Sequence, residues 1–291
     1  MITTTQRFNT YQKERFPLIT YSLLIGVLAF AAAAQTQNEN YLHIGLTFLV
    51  ALFMFMLLRI ADEFKDYEDD CKYRSYRAVP RGLVSLKELG IIGAVLLVLQ
   101  LIMITFISPS TLVALGLTLL YWGLMSKEFF VPTWLKAHPI VYLLSHMVMM
   151  PLIAWMLLSA LGATDPLQHQ SFLALSFFNG LVLEIGRKLR QKSEEEEGVE
   201  TYTFLWGKRK ALVVWIVTLL LSTLASLDIL NYTCYSNAGF AIGLGLLMLG
   251  FFSANCFKNS DTLKGKTIEK ISGVWLLVTY ALVILAGVSS C

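Results

Sequence analysis

The chain has 291 residues, 56% of them hydrophobic and only 15% charged, with a mean hydropathy of +0.63. A water-soluble domain of this size would leave far too much apolar surface exposed, so the composition excludes a soluble globular fold and makes the bilayer the natural solvent. The formal net charge of +3 gives no sign of a nucleic-acid partner, because the cations gather on one face, where anionic lipid or an anionic substrate would meet them.

Crossing the hydrocarbon core takes about 20 mostly apolar residues per helix. Nine stretches of that kind occur in chain order, near 16–36, 42–60, 88–107, 109–126, 138–163, 169–187, 211–230, 238–257 and 271–291. The first follows Arg7, Lys13 and Arg15 and has the outline of a signal peptide with Ala31–Ala34 as its cleavage region, but removing it would break the charge alternation described below. The third and fourth are joined by only Ser108-Pro109-Ser110. Runs such as Ile91–Ile107 and Leu212–Leu221 lack the period-two alternation of a barrel strand, so the stretches read as helices. The fold expected is an all-α membrane protein of nine transmembrane helices forming a single domain over 1–291.

All 23 Lys and Arg lie at the N-terminus or near the loops 2–3, 4–5, 6–7 and 8–9, and none lies in the other loops. Cationic loops resist translocation, which puts the N-terminus in the cytoplasm and the C-terminus on the opposite side. The cysteines, Cys71, Cys234, Cys256 and Cys291, have no metal-ligand or paired spacing and read as ordinary core or surface residues.

The second stretch runs directly into Arg59-Ile-Ala-Asp62-Glu63-Phe-Lys65-Asp66-Tyr-Glu68-Asp69-Asp70. Asp62, Asp66 and Asp70 are four apart, so on one helix they form a stripe with steps of roughly 6 Å. Like charges so placed repel unless a cation sits between them, and oxygen-only ligands suit Mg2+ bridging to a diphosphate. The plain alternative is a solvated acidic helix end interleaved with Lys65 and Lys72. A basic loop follows, with Lys72, Arg74, Arg77 and Arg81 before the third stretch and with Pro80 and Gly82 shaping a turn. Its guanidinium groups offer forked donors to phosphate oxygens, or else simply mark the cytoplasmic side.

A second charged cluster ends the sixth stretch: Glu184-Ile-Gly-Arg187-Lys188, then Glu194-Glu195-Glu196-Glu197-Gly198-Val-Glu200-Thr201. Glu184 is either a salt-bridge partner of Lys188 or a metal ligand, and the glutamate run is in part a solvated loop. Acids after the sixth stretch, as after the second, suggest two four-helix halves, about 16–126 and 138–257, around a central cavity, with a ninth helix 271–291 added. Near the expected mouth lie Phe64, Tyr67, Tyr121, Trp122, Phe177 and Phe178, whose rings either shield a cation or simply pack. Lys127, Glu128 and His146 are further polar groups in reach of an acceptor or phosphate, although His146 also fits a plain interior histidine.

With Asp62-x3-Asp66-x3-Asp70 followed by Arg77-Ala-Val-Pro80-Arg81-Gly82, nearly the whole chain resembles the UbiA superfamily of intramembrane prenyltransferases. The resemblance implies that Asp66 and Asp70 bind Mg2+-diphosphate with help from Asp62. It implies that Lys72, Arg74, Arg77, Arg81, Arg187 and Lys188 grip phosphate. The family's second motif is usually a further Asp pair. Here Glu184, Glu194 and Glu197 stand in its place, followed by Gly198-Val199-Glu200-Thr201 and Trp206-Gly207. The implied activity is transfer of an isoprenyl group from its diphosphate to a hydrophobic aromatic or lipid acceptor. A terpene cyclase, which traps the cation within the prenyl chain, is the nearest alternative, ahead of a transporter or a structural protein.

Overall fold

A computed structural model describes residues 3–231 and 236–288, and the expectations for Cys234 and Cys291 lie outside them. Among the described residues the regular structure is entirely helical. In chain order the helices are α1 Thr4–Arg15, α2 Leu18–Gln35, α3 Tyr41–Lys65, α4 Tyr67–Tyr73, α5 Leu86–Ile107, α6 Thr111–Ser126 and α7 Pro132–Ala137. They continue with α8 Pro139–Met147, α9 Met149–Ala160, α10 Gln170–Arg187, α11 Tyr202–Trp206, α12 Lys208–Leu230, α13 Ser236–Asn259 and α14 Gly265–Val288.

Among the described residues, each of the nine apolar stretches falls largely on helix. Seven spans are long and apolar enough to cross a membrane: α2, α3, α5, α8 with α9, α12, α13 and α14. Helix α6 is shorter, and α10 carries Asn179 within it and Glu184 and Arg187 at its end. Stretch 138–163 is divided at Val148, because Pro151 has no N–H to offer the Met147 carbonyl. The last helix begins at Gly265, six residues before the expected 271, so that Lys266, Glu269 and Lys270 ride on its first turns.

Local signals explain the boundaries. The Ser85 hydroxyl accepts from the Glu88 amide while the Glu88 carboxylate accepts from the Ser85 amide, a capping box that starts α5. Asn40 accepts from the amides of Leu42 and His43 to start α3. Thr3 and Gln6 form a second capping box that starts α1, a surface helix where the sequence suggested only a cationic flank.

Packing in lipid rests on close approach and hydrogen bonds more than on hydrophobic contrast. Helices α10, α12 and α14 are joined by a buried polar set. Asn179 donates to Thr279 Oγ1 at 3.1 Å and accepts from Ser222 Oγ at 2.7 Å, and Ser222 Oγ also accepts from Trp275 Nε1 at 3.2 Å. At Gly186 of α10 a Cβ would stand 2.0 Å from Ser272 Oγ, which accepts from Trp215 Nε1, so only glycine permits that approach. Helix α14 also packs on α2, joining the end of the chain to its beginning.

Replacing Asn179 with Leu strips Ser222 and Thr279 of their shared partner. We expect a loss of about 1–2 kcal/mol, read as a lower thermal midpoint in detergent with the helical content of the folded protein unchanged.

Candidate active site

The acidic motif does not continue as one helix. Helix α3 ends at Lys65 and Asp66 caps it with φ −91° and ψ 3°, after which the short α4 begins. The i to i−4 backbone bonds persist through the junction, Asp66 to Asp62 at 2.9 Å and Asp70 to Asp66 at 2.8 Å. The three carboxylates nonetheless meet different surroundings. Asp62 lies 3.6 Å from Arg59 with its side chain about half exposed. Asp66 is half-buried with no ion pair or side-chain hydrogen bond among the described residues, and Asp70 is only 1% exposed.

Asp70 is buried because arginines enclose it. Arg74 approaches at 2.6 Å and Arg77 at 2.8 and 3.0 Å, both from the basic loop, and Arg15 of α1 lies at 3.8 Å. Beside it Glu63, 2% exposed, receives Arg15 Nε at 2.6 Å and Arg59 Nη2 at 2.9 Å. Arg15 therefore belongs to the charged cluster, a role that its place before the first span did not suggest. Elsewhere along α1, Arg7 meets Glu88 at 3.0 Å and the Leu83 carbonyl at 2.7 Å, while Glu14 meets Arg81 at 2.7 Å. Helix α1 is thus strapped to the loop that follows the acidic motif.

Of the six expected phosphate-binding residues, Arg74 and Arg77 converge on Asp70. Arg187 and Lys188 converge on Glu184, with Lys188 at 3.1 Å. Arg81 instead turns to Glu14 and the Tyr76 carbonyl, and Lys72 is exposed with Nζ 4.7 Å from the centroid of the Tyr73 ring. Glu184 therefore presents itself as a clamped salt-bridge partner, one of the two readings its spacing left open.

The glutamate run works mainly within its loop. Glu194 accepts from the Gln191 amide at 3.0 Å and the Gly265 amide at 2.9 Å, clipping the start of α14, and Glu195 accepts from Thr201 at 2.7 Å and Thr203 at 2.8 Å. Glu196 accepts from the Tyr76 hydroxyl at 3.1 Å, and Glu197 is exposed near Lys72. Gly198, at φ +73°, lies flat on the Tyr73 ring, where a Cβ would come within 2.3 Å. The two motif loops are therefore packed on each other.

A third group lies beyond Lys65. Its ammonium meets Glu128 at 2.9 Å and also donates to the Tyr142 hydroxyl. Glu128 is delivered by a turn in which Glu128, Phe129 and Phe130 have φ of 48°, 52° and 60°, left-handed values that cost non-glycine residues about 1–2 kcal/mol each. A hollow of about 20 Å3 opens here between α3, α6 and α8, lined in part by Asp62, Lys65, Ser126 and His146. A larger groove of about 360 Å3, with Ser171 and Asp228 in its wall, lies between α10 and α12 at the other end of the bundle, away from the charged motifs.

Among the described residues no three His, Cys, Asp or Glu side chains form a ready metal cage. The donors nonetheless suit Mg2+, which takes one or two carboxylates and fills its shell with phosphate and water. Asp66 is the fitting donor. Burial pushes its carboxyl above the usual range, with Lys65 pulling it down and Asp70 adding to the rise. A nearby cation is what would bring it back.

The model of the UbiA prenyltransferase family matches residues 23–274. No curated protein matches the chain. Among solved structures, the chain is similar to an apo UbiA homologue from Aeropyrum pernix K1, with a TM-score of 0.68 at 12% identity, covering 92% of this chain and 96% of that one. It is also similar to a digeranylgeranylglyceryl phosphate synthase, with a TM-score of 0.61 at 19% identity over 97% and 98% of the two chains. A third is a UbiA homologue from Archaeoglobus fulgidus bound to DMAPP and Mg2+, with a TM-score of 0.60 at 15% identity over 94% and 98%. At these identities the likeness is one of fold.

Glu63→Ala strands two arginines in a buried site, and we expect it to cost about 3–5 kcal/mol. Arg81→Ala opens only a half-exposed pair and is expected to cost less than about 1 kcal/mol. Denaturant melts of the two variants side by side test the contrast.

Proposed function

Because the chain belongs to the UbiA prenyltransferase family, we propose that it ionises an allylic isoprenyl diphosphate with the help of Mg2+ and transfers the prenyl group to a hydrophobic acceptor. The observation that carries this reading is Asp66, a half-buried carboxylate without an ion-pair partner among the described residues, set between Asp62 and Asp70 in the motif whose Asp70 binds Arg74 and Arg77. The DMAPP and Mg2+ bound to the Archaeoglobus fulgidus homologue support the choice of ligands.

Asp66 and Asp62 would hold the metal, with Asp70 beside them and Glu184 as the carboxylate of the second half. Glu194 and Glu197 are more distant candidates, since Glu194 already caps two amides. Bound there, Mg2+ would offset the charge that develops on the departing diphosphate. Asp70 keeps the forks of Arg74 and Arg77 desolvated and aimed at the site, so that phosphate oxygens exchange for carboxylate oxygens without the arginines having to be ordered anew. Glu184 does the same for Arg187 and Lys188 across the bundle, and Lys72 adds charge at the rim. The prenyl chain would extend from this charged end among the apolar helices.

In this reading the chain is a multi-pass membrane protein whose N-terminus and active site face the cytoplasm, the side to which its cationic loops point. The acidic ends of α3 and α10 then stand at equivalent places in two four-helix halves.

Asp66→Ala is expected to lower diphosphate release from allylic diphosphates by about a hundredfold or more, with the thermal midpoint retained. Asp62→Asn should have a milder effect. Near-wild-type turnover in Asp66→Ala would defeat the metal-site assignment. Chelation with EDTA should abolish release, and added Mg2+ should restore it. Cyclised hydrocarbon formed without an acceptor would make the protein a terpene cyclase instead.

A further inference from the structure

Lys65 is the one cation inside the acidic motif, three residues after Asp62 and next to Asp66. On a helix, i,i+3 is a spacing at which a Lys and an Asp ordinarily pair, and Asp62 and Lys65 line the same hollow. The structure nonetheless spends this ammonium elsewhere. Among the described residues Asp62 pairs with Arg59 at 3.6 Å, and Asp66 has no ion pair. Lys65 Nζ meets Glu128 at 2.9 Å, donates to the Tyr142 hydroxyl and stands 4.9 Å from the centroid of the Tyr142 ring.

Glu128 is built for that contact. It is 7% exposed, so its charge is buried and Lys65 answers it. The chain places it there against its own backbone preference, through the left-handed run Glu128, Phe129 and Phe130. Strained backbone of this kind persists only where the surrounding structure holds it. Here the Phe129 ring is met edge-on by Tyr121 at 5.5 Å and by His146 at 6.3 Å, and the Tyr121 hydroxyl is tied to the Ser145 carbonyl at 2.6 Å. A surface salt bridge needs no such scaffold. What this one achieves is the position of a single ammonium.

We propose that Glu128 is a positioning residue for the metal site: it draws Lys65 out of the acidic motif and so keeps Asp62 and Asp66 free for a divalent cation. This rests on the metal-site reading above. An ammonium lodged between two carboxylates takes the oxygens that a metal needs, and its like charge repels the metal as well. Once Glu128 is neutral, the carboxylates left to Lys65 are Asp62, in the same hollow, and Asp66, next in the chain. The metal must then compete with a cation that the protein itself supplies.

The test uses the detergent-purified full chain with inorganic diphosphate and Mn2+ as a probe of the metal site, free Mn2+ being read by electron paramagnetic resonance. Glu128→Gln keeps the shape of the side chain and removes its charge. It is expected to weaken Mn2+ binding about tenfold or more, and to raise by the same factor the Mg2+ concentration that gives half-maximal diphosphate release. Lys65→Met combined with Glu128→Gln removes the competitor too, and should return both constants to within about twofold of wild type. Competition also predicts that saturating Mg2+ restores the kcat of Glu128→Gln, which damage to the fold does not allow. Tyr142→Phe, which removes only the second partner of Lys65, should weaken Mn2+ binding by a smaller factor, and it gives the same reading if Glu128→Gln does not fold. Unchanged Mn2+ binding in Glu128→Gln, a double variant no better than the single one, a kcat that saturating Mg2+ does not restore, or wild-type protein that binds no Mn2+ overturns the proposal. Wild-type protein that binds Mn2+ in this Glu128-dependent way yet releases no diphosphate from allylic substrates supports the proposal and sinks the prenyltransferase reading instead.

Discussion

Two carboxylates removed from solvent, Glu63 and Asp70, govern the charged end of this protein. An unpaired buried carboxylate is too costly to persist, so each must draw in cations. Four arginines answer, from α1, α3 and the loop after α4. Because Arg15 serves both acids, α1 is fixed on the motif, and because Arg74 and Arg77 both reach Asp70, the loop folds back over the end of α3. Asp66, between these neutralised acids, has no ion pair or side-chain hydrogen bond among the described residues.

The other half of the molecule meets the same requirement with neutral groups. Asn179, Ser222, Thr279 and Trp275 satisfy one another inside α10, α12 and α14, so neutral groups set the register of these helices within the bundle. That rigidity matters at the site, since Glu184 with its two cations stands on the last turns of α10, beyond the polar set. The dense side of the bundle holds one half of the charged cluster in place, and the strap of α1 holds the other.

The helices were legible from hydrophobic runs, and the four-residue spacing identified the acidic motif. The way its side chains are shared out was not, because spacing along one helix says nothing of a break at Asp66 or of partners more than fifty residues away. Glu63 was one acid among several until Arg15 and Arg59 were seen to meet on it. Arg81 belongs to the basic loop by composition, yet Glu14 takes it, and nothing near either residue in sequence signals that pairing. The glutamate run drew attention by charge density, whereas Glu194 and Glu195 are bound to amides and hydroxyls that only the folded loop supplies.

Strapping the site with α1 also imposes an order of biogenesis. A ribosome releases Arg15 before its partners Glu63 and Asp70, which follow some fifty residues later. Until α3 is made, Arg15 of α1 lacks the two buried carboxylates that later enclose it. The arginine cage therefore closes only once α3 and the loop behind it have been made, when a helix synthesised earlier is captured by a segment made after it.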